Sequence, residues 1–134
     1  MFAAMLFAIS LVALVQFAIY YWRAILTGVA AQPVSSRVLE SACIEGGRLA
    51  AHHFPVMAEL HDLTAYLDPA SGGLGVVRAY YQLVRAVGAV LGNQFPQLAA
   101  WSDRERTICA RYAAVKIDHR LQANLALAAS LRSC

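Results

Sequence analysis

The chain has 134 residues, of which 60% are hydrophobic and only 14% are charged, and its net charge at pH 7 is +3. Soluble domains carry about 25% charged residues, so this composition argues against a freely soluble monomer. It also excludes a disordered or collagen-like chain, and three cysteines are too few for a disulfide scaffold. The length suits one ordinary domain and disfavours a multi-domain enzyme.

The N-terminal segment is the most informative part of the sequence. Residues 1–22 contain no charged side chain, and only Ser10 and Gln16 among them are polar. As a helix this segment is roughly 33 Å long, enough to cross a hydrocarbon core of about 30 Å. Its end, residues 20–22 followed by Arg23, is typical of an interfacial aromatic belt with a snorkelling arginine. We therefore expect a single transmembrane helix.

The apolar run ends at Gln32 and Pro33, which predicts two regions. Residues 1–31 are expected to form the anchor helix with a membrane-proximal extension, and residues 32–134 a helical bundle domain. A cleaved signal peptide is an open alternative because residues 30–32 offer a cleavage site. The start of the chain has no basic residue, however, and the apolar run is long for a signal peptide.

The distribution of basic residues predicts the orientation. Arg23 and Arg37 lie just beyond the C-terminal end of the apolar segment, whereas its N-terminal side carries only the α-amino group. By the positive-inside rule, residues 33–134 are expected to face the cytosol. That compartment would keep the three cysteines reduced.

The body of the chain carries helical signals and no alternating strand pattern. Ser35 and Ser36 offer an N-cap for a first body helix, and Gly46–Gly47 are expected to end or loosen it. Pro55 suits the first turn of a second helix. Residues 68–73 form the clearest loop signal. We expect four or five helices in a small irregular bundle, which makes the whole protein all-α.

Two longer helices follow the loop. Apolar residues at three- and four-residue spacing predict an amphipathic helix of about 17 residues that ends at Gly92–Asn93, with Val77, Tyr80, Val84, Val87 and Leu91 on its inner face. Ser102 and Glu105 match a capping box and predict a final helix from about residue 103 to 130. Asp118 falls on its polar row. The alanine-rich end, residues 121–131, is expected to pack against the anchor or a neighbouring chain.

Metal or haem binding is an open but unfavoured alternative. The histidines and neighbouring acids recur without the tight spacing of zinc or di-iron motifs, and no Cys-x-x-Cys-His haem motif occurs. Ordinary surface or core-edge histidines are the favoured interpretation, so no metal ligand is assigned. The residues considered are His52, His53, Glu59, His61, Asp62, Asp118 and His119.

Catalysis and nucleic-acid binding receive little support. Cys43 and Cys109 sit among apolar neighbours, where cysteine acts as a small buried hydrophobe rather than a nucleophile. No serine-hydrolase elbow or phosphate-binding loop is present. The basic residues of the last helix are spread around it rather than forming a stripe. We therefore expect neither enzyme activity, nor a small-molecule substrate, nor a nucleic-acid partner.

A non-catalytic, single-pass accessory or assembly subunit of a larger membrane protein complex is the predicted function. Low surface charge and a tethered bundle favour partners that cover apolar area: the bilayer, and other membrane subunits or copies of itself. Two alternatives are a pilin-like homopolymeric filament subunit and a small membrane-anchored metal or haem redox carrier. No early acidic residue supports the first, and loose histidine spacing weakens the second.

Overall fold

The computed structural model describes residues 1–42, 44, 48–67 and 73–133, and none of these residues lies in a strand. The described residues form five α-helices, α1 (Phe2–Ala30), α2 (Ser36–Ser41), α3 (Phe54–Leu63), α4 (Gly75–Leu91) and α5 (Pro96–Arg132). Short 3₁₀ turns at Ala51–His53 and Ala65–Leu67 flank α3. The prediction of an all-α protein with one long apolar N-terminal helix is confirmed.

Helix α5 is the centre of the fold, and each of the other helices packs against it. Its inner face is built from small side chains, and Ala110, Ala113 and Ala114 are fully buried. Small residues let neighbouring helices approach closely, so one helix accommodates several partners. The buried side chains that face α5 come from all four remaining helices and include Leu26, Val38, Met57, Val77 and Val84.

Helix α1 has two parts with different surroundings. Residues 1–21 are exposed along their whole length, whereas the last turns pack on the body through Leu26 and Ala30. Among the described residues, α1 is the one helix that is long and apolar enough to cross a membrane, and none of its most apolar stretch is buried. The exposed part thus has the length and composition of a membrane span.

Helices α1 and α5 run in the same direction. Arg23 pairs with Glu105, 82 residues later, and Ser35, just after α1, bonds to Asp118, 83 residues later. A residue of α5 therefore lies beside the residue about 82 positions earlier. As a result, α5 begins beside the exposed part of α1 and continues beyond the bundle at its other end.

The predicted start of the last helix is wrong. α5 begins at Pro96 rather than near residue 103, because proline suits the first turn of a helix. Ser102 and Glu105 consequently lie inside the helix and form no capping box. The Ser102 hydroxyl donates to the Val84 carbonyl oxygen at 2.9 Å, and Glu105 pairs with Arg23.

Other local predictions fare better. The predicted 17-residue helix is α4, and it ends at Gly92 as expected. Pro55 lies in the first turn of α3, also as expected. Ser35 does occupy the N-cap of α2, but its hydroxyl donates to Asp118 instead of capping the helix. Gly46–Gly47 and residues 68–72 of the predicted loop lie outside the described residues.

Candidate functional site

A buried carboxylate joins three helices at the base of the exposed part of α1. Glu105 of α5 is 1% exposed. Its Oε1 lies 2.5 Å from Nη2 of Arg23 in α1, and its Oε2 accepts a hydrogen bond of 2.9 Å from the Tyr80 hydroxyl of α4. Both carboxylate oxygens are therefore occupied, and the carboxylate is closed to solvent.

This arrangement connects α1 and α4 to α5. Burial raises the pKa of Tyr80 well above its usual value, and the hydrogen bond to Glu105 raises it further. Tyr80 therefore stays protonated and keeps donating at any physiological pH. Since a buried carboxylate without partners is costly, Arg23 and Tyr80 both stabilise the position of Glu105.

A second buried carboxylate lies further along α5. Asp118 belongs to the polar row predicted from the sequence, yet its side chain is only 2% exposed. The Ser35 hydroxyl donates to its Oδ1, and Gln122 Nε2 donates to its Oδ2 at 2.8 Å. The segment after α1 covers this side of α5, which is why a polar position becomes buried.

His61 of α3 is 2% exposed, and burial lowers its pKa, helped by the nearby positive charge of Arg120. It is therefore neutral at pH 7. Its Nδ1 lies 3.8 Å from Asp62 Oδ1, beyond hydrogen-bond distance, and finds no hydrogen-bond partner among the described residues. Asp62 pairs instead with Arg78, at 2.5 Å, and this hydrogen bond lowers the pKa of Asp62.

The histidines do not assemble a metal centre in the described part of the chain. The rings of His52 and His53 contact each other with centroids 4.0 Å apart and planes tilted by 48°. His53 Nδ1 accepts a hydrogen bond from the Ala50 amide. His119 is exposed on α5. Within the described ranges, no group of three or more potential ligands lies close enough to hold a metal ion.

Cys109 is a core residue of α5. It is fully buried, and burial raises the pKa of its thiol to about 12. A thiol in this state carries almost no thiolate at neutral pH, and thiolate is the nucleophilic form. The predicted role of Cys109 as a small buried hydrophobe is consistent with this position. Cys43 lies outside the described residues.

An apolar groove lies between α1 and the α4–α5 pair, directly beside the cluster formed by Glu105, Arg23 and Tyr80. Its volume is about 500 Å³. The lining contains no charged side chain and includes Leu14, Ile19, Trp22, Tyr80, Leu83, Val87 and Trp101. Leu83, one of its lining residues, is 62% exposed. The groove suits an apolar occupant.

Beyond Leu121, which packs against the core, the far end of α5 is an unusual surface because it is largely exposed and apolar. Leu125, Leu127 and Leu131 are 52%, 59% and 70% exposed. No charged residue lies between Arg120 and Arg132. The sequence predicts that residues 121–131 pack against the anchor helix or against a neighbouring chain. The first of these predictions is wrong, because α5 runs away from the exposed part of α1.

Comparisons with protein-family models, with curated proteins and with solved structures found no match to this chain. Function is therefore inferred from the chain's own surfaces. Three of them stand out: the exposed part of α1, the groove beside Glu105, and the end of α5. Each is apolar, and none carries a catalytic constellation among the described residues.

Proposed function

We propose that this chain is a single-pass membrane protein and a non-catalytic accessory or assembly subunit of a larger membrane protein complex. Residues 1–22 would cross the bilayer, and residues 33–134 would lie on the cytosolic side. The observation that carries the proposal is the exposed apolar end of α5, which projects to the side of the bundle opposite the proposed span.

The exposure of α1 supports the span. Residues 1–21 are all exposed in the described part of the chain, and leaving so many large apolar side chains in water is unfavourable. Arg23 marks the boundary: its side chain is 43% exposed while its guanidinium pairs with Glu105. An arginine at this level neutralises a buried acid on one side and reaches lipid phosphates on the other.

The direction of α5 supports a protein partner. Because α5 runs parallel to α1, it leaves the level of Arg23 and Glu105 away from the proposed span. Arg132 lies 27 residues (132 − 105) beyond Glu105, which corresponds to about 40 Å along the helix axis. Lipid at the surface of the same membrane is too distant to cover this end. Another protein surface is the remaining way to bury it.

The shape of the α5 end indicates the chemistry of that partner. Its apolar residues occupy an arc of about 160° around the helix, wide enough for a helix-in-groove or helix–helix contact. This α5 end face consists of the exposed residues Leu125, Leu127, Ala128 and Leu131, with the half-buried Asn124 as the one polar side chain within the arc. We infer that the partner offers an apolar helix or groove, and that leucine burial supplies most of the affinity, at about 1.5–3 kcal/mol per fully buried side chain.

A triple substitution tests this function in the full-length protein. The face variant Leu125→Ser/Leu127→Ser/Leu131→Ser removes the apolar contacts without touching the core, since all three residues are exposed. The matched control, Gln122→Ser/Ala126→Ser/Ala129→Ser, changes three other positions on the same stretch. Both proteins are purified from native membranes in mild detergent, and their mass and co-purifying chains are measured.

We expect the native chain and the control to migrate with a defined second chain, and the face variant to lose it. A partner that proves to be a second copy of this chain supports the homopolymeric alternative instead. If all three proteins are monomeric, the proposed function is wrong.

A further inference from the structure

We further propose that the corner between α4 and α5 enters the lipid beside α1, so that the protein contacts the bilayer through three helices rather than one. The α4–α5 corner is defined as residues 86–102. The proposal depends on the membrane span of α1 proposed above. Its occupant is the acyl-chain and headgroup region of the membrane that α1 crosses.

The α4–α5 corner lies beside the exposed part of α1. With α5 parallel to α1, Phe95 lies ten residues (105 − 95) before Glu105, about 15 Å toward the exposed part of α1. The groove confirms this proximity, because Val87 and Trp101 of the corner line it together with Leu14 and Ile19 of α1. If residues 14–19 are in lipid, the corner is at the same depth.

The α4–α5 corner contains no charged residue. Arg85 is the last charged residue before the α4–α5 corner and Asp103 is the first after it, so the corner itself carries no charge. Its apolar side chains nevertheless point outward: Val90 is 71% exposed and Phe95 54%. The exposed polar side chains of the corner are the uncharged Asn93, Gln94 and Gln97, and its exposed apolar side chains mark a contact surface. Its continuity with the exposed part of α1 identifies lipid as the contact.

Backbone hydrogen bonds within the α4–α5 corner also bear on its contact with lipid. Polar backbone groups in lipid require internal hydrogen-bond partners. At the tip of the α4–α5 corner, the Gly92 amide donates to Gly88, and the Gln94 and Phe95 amides donate to Leu91, at 2.9–3.1 Å. The next residue, Pro96, has no amide hydrogen to satisfy. The amides of Gly92, Gln94 and Phe95 are therefore occupied, which is compatible with partial insertion.

A layer of arginines at the expected membrane surface also supports the proposal. Arg23, Arg104 and Arg106 lie at the level of Glu105, and Arg85 lines a surface cavity with Arg106 beside Ser102. Two acids lie at the same level, since Asp103 pairs with Arg106 at 3.3 Å and Glu105 pairs with Arg23. The arginines outnumber them where the charge-free parts of α1, α4 and α5 meet the charged part of the bundle. Arginine at this level reaches phosphate groups while its stem covers apolar surface. Trp22 and Trp101 add the aromatic residues typical of the interface.

Depth-dependent quenching tests the proposal in the full-length protein. Trp22→Phe and Trp101→Phe remove the native tryptophans, and one tryptophan is then introduced by Phe95→Trp, Leu14→Trp or Tyr66→Trp. Leu14 reports the span and Phe95 the α4–α5 corner. Tyr66 is 79% exposed on the opposite side of the bundle and serves as the aqueous reference. Each protein is reconstituted into phosphatidylcholine vesicles, and emission is compared with and without acyl-chain bromination.

We expect brominated acyl chains to reduce emission at positions 95 and 14 by similar fractions and to leave position 66 unchanged. Quenching at 14 without quenching at 95 overturns the inference and leaves the proposed function intact. Absence of quenching at 14 overturns the proposed span and, with it, this inference. The two failures are thereby distinguished.

Discussion

Arg23 and Glu105 are 82 residues apart in the sequence and form an ion pair of 2.5 Å, in which the acid is 1% exposed and the base partly exposed. This pair fixes the height of α1 relative to α5. It also lies at the boundary between the charge-free ends of α1, α4 and α5 and the charged part of the bundle. A contact with an architectural role of this kind has measurable consequences for stability.

Replacing the base of this pair is expected to destabilise the fold. Arg23→Met keeps the stem of the side chain but leaves the Glu105 carboxylate buried with Tyr80 as its remaining donor. We expect the free energy of unfolding to fall by about 2–4 kcal/mol, less than for a fully buried pair because Arg23 is partly exposed. Reversible unfolding in detergent, followed by far-ultraviolet circular dichroism, measures the change.

Arg104→Met is the matched control, since it removes the same charge from an exposed position next to Glu105 and should change stability by less than about 0.5 kcal/mol. The double variant Arg23→Met/Glu105→Met should regain much of the loss, because no buried charge remains. If Arg23→Met and Arg104→Met change the free energy of unfolding equally, the Arg23–Glu105 pair does not stabilise the fold.

The packing of α4 on α5 predicts opposite effects for two glycine substitutions. A Cβ at Gly88 would lie 2.7 Å from the Ser102 Cβ, whereas a Cβ at Gly28 would meet nothing within 4 Å. Gly88→Ala should therefore cost about 1–3 kcal/mol, and Gly28→Ala should stabilise α1 by up to about 1 kcal/mol. Ser102→Gly in the Gly88→Ala background should recover part of the loss. Melting temperatures in detergent that move together for both variants would refute this packing.

His61 predicts a pH dependence of stability. Its pKa in the folded protein is lowered from 6.5 by burial, so the unfolded chain binds a proton at a higher pH than the folded chain does. The stability that neutral His61 contributes is present above pH 6.5 and is lost as pH falls below it, by at most about 1.4 kcal/mol per pH unit. Unfolding measured between pH 8 and 5 should show this decline.

His61→Gln should flatten the decline, although His53, whose pKa is also lowered, is expected to leave a smaller slope. His119→Gln, which changes an exposed histidine on α5, should keep the native slope. A native slope in the His61→Gln protein would mean that another group is responsible.

The burial of Cys109 predicts chemical inertness. With its pKa raised to about 12 and no exposed surface, its thiol should resist iodoacetamide at pH 7.5 in the folded protein and react after denaturation. Peptide mass spectrometry measures both states. A cysteine introduced by Leu127→Cys, on the exposed end of α5, should react in the folded protein. Rapid native labelling of Cys109 would contradict its place in the core.

The sequence predicts that the body is helical, but it does not predict where α5 begins. Hydrophobic periodicity located α4 closely, and Pro55 and Gly92 marked helix ends, because these signals are local. Ser102 and Glu105 imitate a capping box, yet their actual partners, Val84 and Arg23, are distant in sequence. A local motif cannot reveal which long-range contact competes with it.

The buried acids were missed for the same reason. Asp118 belongs to the polar row of α5 when α5 is considered alone, and Glu105 lies about 140° away around the helix. Asp118 becomes interior when the segment after α1 covers it, and Glu105 when α1 and α4 cover it. One signal was available: Arg23 interrupts an otherwise apolar run, and an arginine in such a place requires an anion. The exposed end of α5, in contrast, follows directly from its charge-free, leucine-containing sequence.

The most direct test of a membrane-spanning anchor with a cytosolic body is cysteine accessibility in intact cells. In a background with Cys43→Ser and Cys134→Ser, Phe2→Cys and Leu127→Cys are introduced separately and treated with a membrane-impermeant maleimide. We expect position 2 to be labelled in intact cells and position 127 only after the membrane is permeabilised. Labelling of both positions in intact cells, or protection of position 2 alone, would contradict the proposed topology.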